Sequence, residues 1–594
     1  MMDALDRAIA NTQAHLNALR SASGHWEGHL SSSALSTATA IVALALVDRV
    51  KHAEHIAAGA RWLCEHQNTD GGWGDTTLSK SNLSTTLLCW SALHLVAQPN
   101  TPAVESANGW ITAQVGSLAP AAIAKAVVTR YGKDKTFSVP ILMLCALCGT
   151  LGEKPWKHVI ALPFELAALP RTWFGAVGLP VVSYALPALI AIGYTRFKNA
   201  PPAWWNPLRW LRTLTWPRIR PMLQALQPSS GGYLEATPLT SFVTMALAGG
   251  GQLDHPCLPL AVDFLVNSKR EDGSWPIDTN LATWGTTLSV RSLDALPDGL
   301  LRSREANPAQ QTWLLAQQYR EVHPFTNAPP GGWAWTNLPG GVPDADDTSS
   351  ALIALKKMGH RCDAAIHQGI TWLLDLQNRD GGIPTFCRGW GTLPFDRSTP
   401  EITAHALCAW WVWHDELPPV LQKRIVKSTQ HAFFYLERVQ LPDGSWIPLW
   451  FGNEHTPDEN NPVYGTAQVV NHLSGSEQLA VLFHAMILTG REYLYSAQKP
   501  DGSFGGDANA PASIEETAVS LHALGSVERE KVLSAVQWLL TATADGTRFP
   551  TAPIGLYFAR LWYHEQLYPV IWTLGALRAA QQVLVSSTGR SATV

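Results

Sequence analysis

Gln440-Leu441-Pro442-Asp443-Gly444-Ser445-Trp446 forms a turn between two predicted helices. The apolar pair Tyr435-Leu436 before it belongs to a helix that ends at the glutamine, whose side chain can hydrogen-bond to free backbone groups at a helix end. The glycine can adopt the positive φ that other residues resist, so it reverses the chain. Trp446 then returns to pack on the helix just left. The stretch predicts a turn that fixes an outer helix of a helical barrel.

The same turn recurs along the chain. Four further copies pair an apolar, helix-like segment with such a turn: Trp62-Leu63 with Asp70-Gly71-Gly72-Trp73, Phe264-Leu265 with Asp272-Gly273-Ser274-Trp275, Trp372-Leu373 with Asp380-Gly381-Gly382, and Tyr493-Leu494 with Asp501-Gly502-Ser503-Phe504. Weaker echoes occur at Gly231-Gly232-Tyr233, Gly331-Gly332-Trp333 and Asp545-Gly546. The spacing of roughly 40 to 60 residues indicates a helix-pair repeat whose units cannot bury their apolar faces alone.

The segments between the turns have the pattern of helices. Apolar residues recur with the helical period, for example over residues 350–358, 403–413 and 518–524, whereas the alternation typical of strands is scarce. We therefore predict an all-α fold whose helices pair into two α/α barrels.

Length, charge and cysteine content exclude several classes of protein. The 594-residue chain is too long for one ordinary core, so we expect two or more domains. Its net charge of −4 lacks the basic footprint of a nucleic-acid-binding protein. Its eight cysteines are scattered, so neither a metal site nor a disulfide framework is predicted, and no cofactor is expected. The N-terminus lacks the apolar core of a secretory signal, which favours synthesis in the cytoplasm.

Asp344-Ala345-Asp346-Asp347-Thr348 places three carboxylates directly before the apolar run 351–355. Like charges so close together cannot all ionise without cost, so at least one carboxyl should stay protonated. A neutral carboxylic acid in a dry site is a proton donor. The alternative is a helix N-cap, in which Asp346 or Asp347 accepts free backbone N–H groups. The cluster alone does not decide between these roles.

One segment has the composition of a membrane surface. Residues 172–195 carry no charge, and a run of that length could span a bilayer, but its two prolines and three glycines argue against a simple transmembrane helix. The next segment mixes tryptophan with arginine, at Trp204, Trp205, Arg209, Trp210, Arg212, Trp216, Arg218 and Arg220. This mixture is typical of a membrane interface. We expect an in-plane, one-sided attachment; a solvated basic linker is the alternative.

The Gln...Asp-Gly-Trp turns and the stretch 344–348 together resemble the squalene-hopene cyclase branch of the class II triterpene cyclases, over nearly the whole chain. The resemblance implies two α/α barrels, one inserted into the other in sequence, around a large apolar cavity reached from the membrane. It places an N-terminal helix (1–29) with the catalytic barrel, an inserted barrel with the membrane-attachment region at 30–280, and the catalytic barrel at 281–594. It also implies a monotopic enzyme on the cytoplasmic side of the membrane, and it is compatible with a homodimer.

The family's catalytic residues match particular positions of this chain. Its proton donor matches Asp346, flanked by Asp344 and Asp347, and its partner histidine matches His405. The family's nearby acid falls on Glu401, four residues before His405 on a predicted helix, where it could help to keep the imidazole charged. The alternative for His405 is a satisfied core histidine.

Protonating a plain alkene leaves a carbocation, which aromatic faces stabilise without donating a bond. Family positions of this kind fall on Trp284, Trp335, Phe386 and Trp450. Two of them depart from the family pattern, since Phe386 replaces a tyrosine and Trp335 a smaller phenylalanine. The glutamates expected at the terminal pocket are replaced by Ser36, Ala38 and Leu88. The chain therefore looks like a divergent branch, and the way in which its reaction stops is open.

The resemblance implies a linear isoprenoid substrate, squalene or a related polyprene, cyclised to a hopene-like product. Epoxide-opening cyclases carry a differently arranged acidic motif. Cyclases of prenyl diphosphates should have fewer of these repeats and a basic site for the diphosphate. A non-catalytic isoprenoid-binding barrel is a further alternative, because helical barrels serve unrelated chemistries. Such a carrier would have no reason to keep Asp346 and His405 together.

Overall fold

The computed structural model describes most of the chain and is dominated by helices. The described residues are 2–97, 101–132, 135–170, 173, 186–293, 308–324, 326–388, 391, 395–556 and 560–590. Strands among them are only two or three residues long. The prediction of an all-α fold is confirmed.

The described part of the N-terminal half consists mainly of α-helices. They are α1 (Met2–Ala18), α2 (Ala34–Asp48), α3 (Ala53–Glu65), α4 (Leu83–Val96), α5 (Pro102–Val115), α6 (Pro120–Tyr131), α7 (Lys135–Leu147), α8 (Leu186–Asn199), α9 (Pro207–Ala225), α10 (Thr237–Gly249) and α11 (Cys257–Asn267). Five of them, α2, α4, α7, α8 and α10, pack each against the next and close into a ring, with α10 returning to α2. This first ring is lined on its outside by α3, α5, α6 and α11.

The C-terminal half builds a second ring. Its helices are α12 (Ala282–Leu293), α13 (Pro308–Ala316), α14 (Ala345–Lys357), α15 (Ala364–Leu376), α16 (Pro400–Trp413), α17 (Pro419–Val439), α18 (Pro462–Leu473), α19 (Glu477–Leu482), α20 (His484–Ala497), α21 (Ile514–Leu524), α22 (Arg529–Ala542) and α23 (Leu567–Arg590). The inner ring runs α12, α14, α16, α18, α21 and α23, and α23 closes on α12. The N-terminal helix α1 packs on the outside of α23.

Burial explains which helices lie inside. The inner helix α16 buries residues on every side, whereas the outer helix α17 buries a single stripe that includes Ile425, Ala432 and Leu436. An apolar helix all round is stable only when other helices surround it. The two predicted barrels are therefore present as two rings of apolar helices, each wrapped by amphipathic ones.

Short strands connect the turns at the ends of the rings. β1 (Ser32–Ser33) pairs antiparallel with β2 (Trp275–Pro276), and β3 (Ile383–Pro384) pairs antiparallel with β4 (Ser398–Thr399). β5 (Phe451–Gly452), β6 (Ile554–Leu556) and β7 (Leu561–Tyr563) form an antiparallel sheet in that order. The first pair joins the beginning of the first ring to its last turn.

The repeated turns cross-link consecutive outer helices. The Gln440 amide donates to the carbonyl of Gly444 in its own turn (2.9 Å) and to the carbonyl of Met486 in the next outer helix (3.3 Å). Gly444 has a φ of 91°, and a Cβ at this position would collide with the Thr489 carbonyl oxygen. The positive φ predicted for the turn is confirmed, and the close approach of the next helix is a second reason for glycine.

The residue that follows the turn, aromatic in most copies and Ile383 in one, ties the outer helix to the inner one. The Trp446 indole donates to the Leu436 carbonyl (3.0 Å), on the helix just left, and its backbone N–H donates to the Thr466 hydroxyl on α18 (2.9 Å). Equivalent backbone bonds to a threonine hydroxyl are made by Trp73, Tyr233, Trp275, Trp333, Ile383 and Phe504. The prediction that the aromatic residue packs back on its helix is confirmed.

The uncharged run 172–195 contributes to the first barrel. Residues 186–195 lie in α8, where Ile190 and Ile192 are buried in the core; residues 174–185 lie outside the described part. Among the described helices, none is by itself long and apolar enough to cross a bilayer. The helices α5 and α6 pass the same length and composition criteria as a pair, with a bend of 64° between them.

Candidate active site

A large apolar cavity lies between the two rings. Its wall combines residues of the first ring, such as Leu88 and Phe242, with residues of the second ring, such as Trp284 and Ile402. The N-terminal end of α14 opens into this cavity, and Asp346 lies at its wall. The structure therefore brings the acidic cluster to the edge of a large dry space.

Asp344 is the N-cap of α14. Its Oδ1 accepts the backbone N–H of Asp347 (2.8 Å), and its own N–H donates to the Trp333 carbonyl of the preceding turn (3.0 Å). The alternative that Asp346 or Asp347 caps the helix is wrong, because Asp344 is the cap and the other two carboxylates occupy the first turn of the helix. Capping leaves those two carboxylates unexplained.

Burial raises the pKa of all three carboxyls. The pKa of Asp344 rises to about 7, and burial together with the neighbouring Asp344 raises the pKa of Asp347 well above the usual range. Burial also raises the pKa of Asp346 to about 7, although the positive charge of Arg291 opposes this rise. A substantial fraction of Asp346 is therefore protonated at neutral pH, as a proton donor requires.

His405, on the neighbouring inner helix α16, holds Asp346. Its Nδ1 lies 2.5 Å from Asp346 Oδ1; the histidine side chain is 1% exposed, whereas that of Asp346 is 22% exposed, towards the cavity. One carboxyl oxygen of Asp346 is thus engaged by the imidazole. The second oxygen is the one that can present a proton to a ligand.

Arg291, on α12, brings a positive charge to this site that was not predicted from the sequence. Its guanidinium contacts His405 Nε2 at 2.9 Å and His472 Nε2 at 3.0 Å. Because a guanidinium only donates, His405 Nε2 must accept, and the imidazole carries its proton on Nδ1 and donates it to Asp346. Burial and the Arg291 charge lower the pKa of His405 well below its usual value. The predicted charged imidazole is wrong: His405 is neutral.

Glu401 does not support the imidazole. Its carboxylate accepts the backbone N–H of Leu449 (3.0 Å) and the hydroxyl of Thr399, and burial raises the pKa of Glu401 to about 7. Leu449 directly precedes Trp450 in the chain. Glu401 therefore anchors the loop that carries a cavity aromatic, and its predicted role beside His405 is wrong.

The four predicted aromatic residues line the same cavity as Asp346. They are Trp284, Trp335, Phe386 and Trp450. The Phe386 ring lies edge to face with Trp335 (centroids 6.5 Å apart) and with Trp450 (5.5 Å), and the Trp284 ring lies 6.4 Å from the His405 ring. Negative ring faces around a dry cavity stabilise a cation without offering it a nucleophile.

Further aromatic residues of the wall were not predicted. Tyr563 and Tyr568 line the cavity and their hydroxyls lie 3.1 Å apart, and Tyr568 stacks on Trp572 at 4.7 Å. The aromatic density of the segment around them was the available signal. Its position opposite the donor depends on how the second ring closes, which sequence spacing does not reveal.

A second, polar cavity lies inside the second ring, behind Asp346. It is lined by Arg291, His405, His472, His522, Gln468 and Asn471. Asp346 borders both cavities. The carboxyl thus has an apolar side towards a ligand and a polar side towards groups that can stabilise its charge, an arrangement suited to giving a proton to an apolar molecule.

Comparison with known proteins agrees with this geometry. The family model of the squalene-hopene cyclase N-terminal domain matches residues 9–185, and that of the C-terminal domain matches residues 279–581. The chain is 24% identical to a squalene-hopene cyclase of Alicyclobacillus acidocaldarius over 546 residues, which cover 79% of this chain and 78% of that protein.

Other relatives are longer or more distant. An enfumafungin synthase of Hormonema carpetanum is 24% identical over 559 residues, which cover 81% of this chain but 40% of that protein. The chain spans about half or less of the length of several relatives that it matches. The solved ent-copalyl diphosphate synthase from Streptomyces platensis has the same fold, with a TM-score of 0.58 and 19% identity over 98% of this chain and 100% of that one.

Proposed function

The chain belongs to the squalene-hopene cyclase family of class II terpene cyclases, and we propose that it cyclises squalene or a related linear polyprene to a hopene-like product. The observation that carries this proposal is Asp346. Its carboxyl is held by a neutral histidine at the wall of an apolar, aromatic cavity. This arrangement would protonate an alkene that has no activating group of its own.

The proposed reaction starts with proton transfer from Asp346. The π electrons of the terminal alkene take the proton, which leaves a tertiary carbocation on the substrate and a carboxylate on Asp346. The Nδ1–H of His405 stabilises this carboxylate. The next alkene attacks the cation and closes a ring, and the positive charge moves along the chain past Trp284 and Trp450. Rings close in sequence because the cavity holds the chain folded and excludes water. Loss of a proton from the last cation then gives a neutral cyclic isomer.

The charge of the cavity favours a hydrocarbon substrate over a prenyl diphosphate. Among the described residues of the wall the basic side chain is Arg560, and it is paired with Glu459 at 3.2 Å. The same glutamate also pairs with Arg130 at 3.1 Å. A diphosphate would need more free positive charge than this site offers. The basic groups near Asp346, such as Arg291, line the polar cavity behind this carboxyl and not the apolar cavity.

The described surface also supports the proposal of membrane attachment. The burial pattern of helix α9 is the reverse of the usual one. Its charged Arg212 is buried and paired with Glu165 (2.9 Å), while the apolar Trp210 and Leu214 are 61% and 76% exposed. Trp204 and Trp205 extend this apolar patch. Exposed tryptophans in such a cluster fit a membrane interface. We extend the proposal to a monotopic enzyme on the cytoplasmic side of the membrane; a homodimer stays a prediction.

Membrane attachment can be tested by flotation with vesicles. The double variant Trp210→Asp and Leu214→Asp should lose binding to vesicles of phosphatidylglycerol and phosphatidylethanolamine. Val420→Asp is the matched control, because Val420 is 71% exposed on the outer helix α17, and it should float like the unmodified protein. Equal flotation of all three proteins would contradict this part of the proposal.

The activity is tested by comparing two substrates. Purified protein in detergent is incubated with squalene and with geranylgeranyl diphosphate, and products are identified by mass spectrometry. We expect the unmodified protein to convert squalene to a cyclic isomer and to form no cyclic product from the diphosphate. The variant Asp346→Asn should form no product from either substrate. Cyclisation of the diphosphate alone would replace the proposed substrate. If the protein converts neither of these substrates nor any other linear polyprene, the alternative of a non-catalytic isoprenoid carrier would be favoured.

A further inference from the structure

Arg291 lies inside the second ring in an unusual electrostatic position. Its guanidinium faces the polar cavity, and within the described part of the chain no carboxylate forms a salt bridge with it. A cation taken out of water without a paired anion is costly for folding. The fold nevertheless keeps this cation on α12, an inner helix, where an apolar side chain would pack at no such cost.

The contacts of Arg291 aim its charge at Asp346. One amino group is bonded to His405 and the other to His472, and the two imidazole rings stack at 4.1 Å. This pair of acceptors holds the guanidinium in one plane. The other charged or titratable groups that line the same cavity are Asp346, Glu401, Lys357, Cys408, Tyr464 and His522. Of these groups, Asp346 is the one joined to Arg291 through a bridging imidazole.

We propose that Arg291 is a positioning residue for the proton donor: through His405 it fixes the imidazole tautomer and supplies the positive charge that stabilises the Asp346 carboxylate left after proton transfer. This inference rests on the proposed function and adds the source of the charge that stabilises the Asp346 carboxylate. A charged histidine is not needed, because the permanent positive charge of Arg291, which lies behind His405, stabilises the Asp346 carboxylate in its place.

The charge balance shows what Arg291 contributes. Before transfer, Asp346 is neutral and Arg291 carries one positive charge, so the site holds an uncompensated cation. After transfer, the carboxylate and the guanidinium balance each other, and the positive charge is on the substrate. The site therefore favours the product of the first step. Without Arg291, burial would make Asp346 a weaker acid, because burial destabilises the charged carboxylate relative to the neutral acid.

Two variants separate the charge of Arg291 from its hydrogen bond. Arg291→Gln keeps an N–H donor for His405 but removes the charge, whereas Arg291→Lys keeps the charge. In Arg291→Gln the turnover rate should fall at least about tenfold, and the pH above which activity is lost should move upward by about one unit. Arg291→Lys should keep this pH within a few tenths of a unit and lose less activity.

Arg578 provides the matched control. It is fully buried and donates to the carbonyls of Ser292 (2.7 Å) and Leu293 (2.6 Å), at the end of the same helix. Arg578→Gln should lower the melting temperature without moving the pH limit of activity. A purely structural role for Arg291 predicts the same behaviour for Arg291→Gln. An unmoved limit in Arg291→Gln would therefore overturn the proposal.

A titration without substrate keeps this test independent of the proposed reaction. The infrared carbonyl band of protonated Asp346, assigned as the band lost in Asp346→Asn, is followed against pH in each variant. We expect its midpoint to rise in Arg291→Gln and to stay unchanged in Arg578→Gln. If the protein converts no polyprene, the proposed function fails while this titration still decides the role of Arg291. A midpoint that does not rise in Arg291→Gln contradicts that role.

Discussion

The helices α4 and α14 begin in the same way, one in each ring. The N-cap side chain of α4, Asn82, accepts the N–H of Thr85 (3.0 Å), as Asp344 accepts the N–H of Asp347 in α14 (2.8 Å). Each cap also donates its own N–H to the tryptophan carbonyl of the preceding turn, at 3.0 Å in both rings. The two helix starts are thus equivalent position by position.

The side chains at these equivalent positions differ in one respect. The first ring has Asn82-Leu83-Ser84-Thr85-Thr86, and the second has Asp344-Ala345-Asp346-Asp347-Thr348. The first ring forms its cap and turn with no carboxylate in this stretch. The acids of the second ring are therefore not required by the fold, which supports the proposed chemical role of Asp346.

The largest expected effect comes from making the second ring resemble the first. Asp346→Ser copies Ser84, and it should lower cyclisation by roughly 1,000-fold or more, because general acid catalysis is lost. The fold should persist, as it does around Ser84. Product formation and thermal unfolding measure the two effects. The control Ser84→Ala removes the hydroxyl next to Tyr131 (2.8 Å) and should leave activity within a few-fold. An active Asp346→Ser variant would refute the assignment of the donor.

The pH dependence should show which acid is the donor. Only the protonated form of Asp346 can start the reaction, and its pKa is about 7. Initial rates should therefore be constant below this pH and fall about tenfold per unit above it. Glu401 also has a pKa of about 7, so Glu401→Gln is the control. This variant should keep the same pH limit with a modest loss of rate. A loss of cyclisation in Glu401→Gln as large as that in Asp346→Ser would contradict the assignment of Asp346 as the only donor.

The smallest effect concerns the caps themselves. Asp344→Asn gives the second ring the cap residue of the first and should change the free energy of unfolding by less than about 0.5 kcal/mol, whereas Asp344→Ala should cost about 1 kcal/mol. Asn82→Ala should cost at least as much, because Asn82 also donates to Asp75 (2.8 Å). Urea unfolding measures these differences. Equal stability of Asp344→Asn and Asp344→Ala would show that the cap contributes nothing.

The sequence predicted the parts of this structure that local chemistry decides. Most turns, such as the one at Gly444, combine a positive φ with an aromatic residue at a fixed spacing, so the repeats and the all-α fold follow from the residues themselves. The acidic cluster of Asp344, Asp346 and Asp347 was visible in the same way, because these residues are adjacent in the chain; the role of Asp346 as the donor stays a prediction.

The remaining features depend on how the second ring closes. Arg291, His405 and His472 lie on three inner helices that are far apart in sequence, and no periodicity brings them together. Glu401 was misinterpreted for a related reason. Its spacing to His405 places both on α16, but the loop at Leu449 from the next repeat is the partner that occupies its carboxylate.

The origin of the first proton is the most direct test of the central claim. The reaction with squalene is run in D₂O, where the exchangeable proton of Asp346 is replaced by deuterium, and the product is analysed by mass spectrometry and NMR. We predict one deuterium on the ring methylene carbon formed from the CH of the terminal alkene, with the label and the product both lost in Asp346→Asn. A cyclic product without deuterium at that position would contradict proton transfer from Asp346.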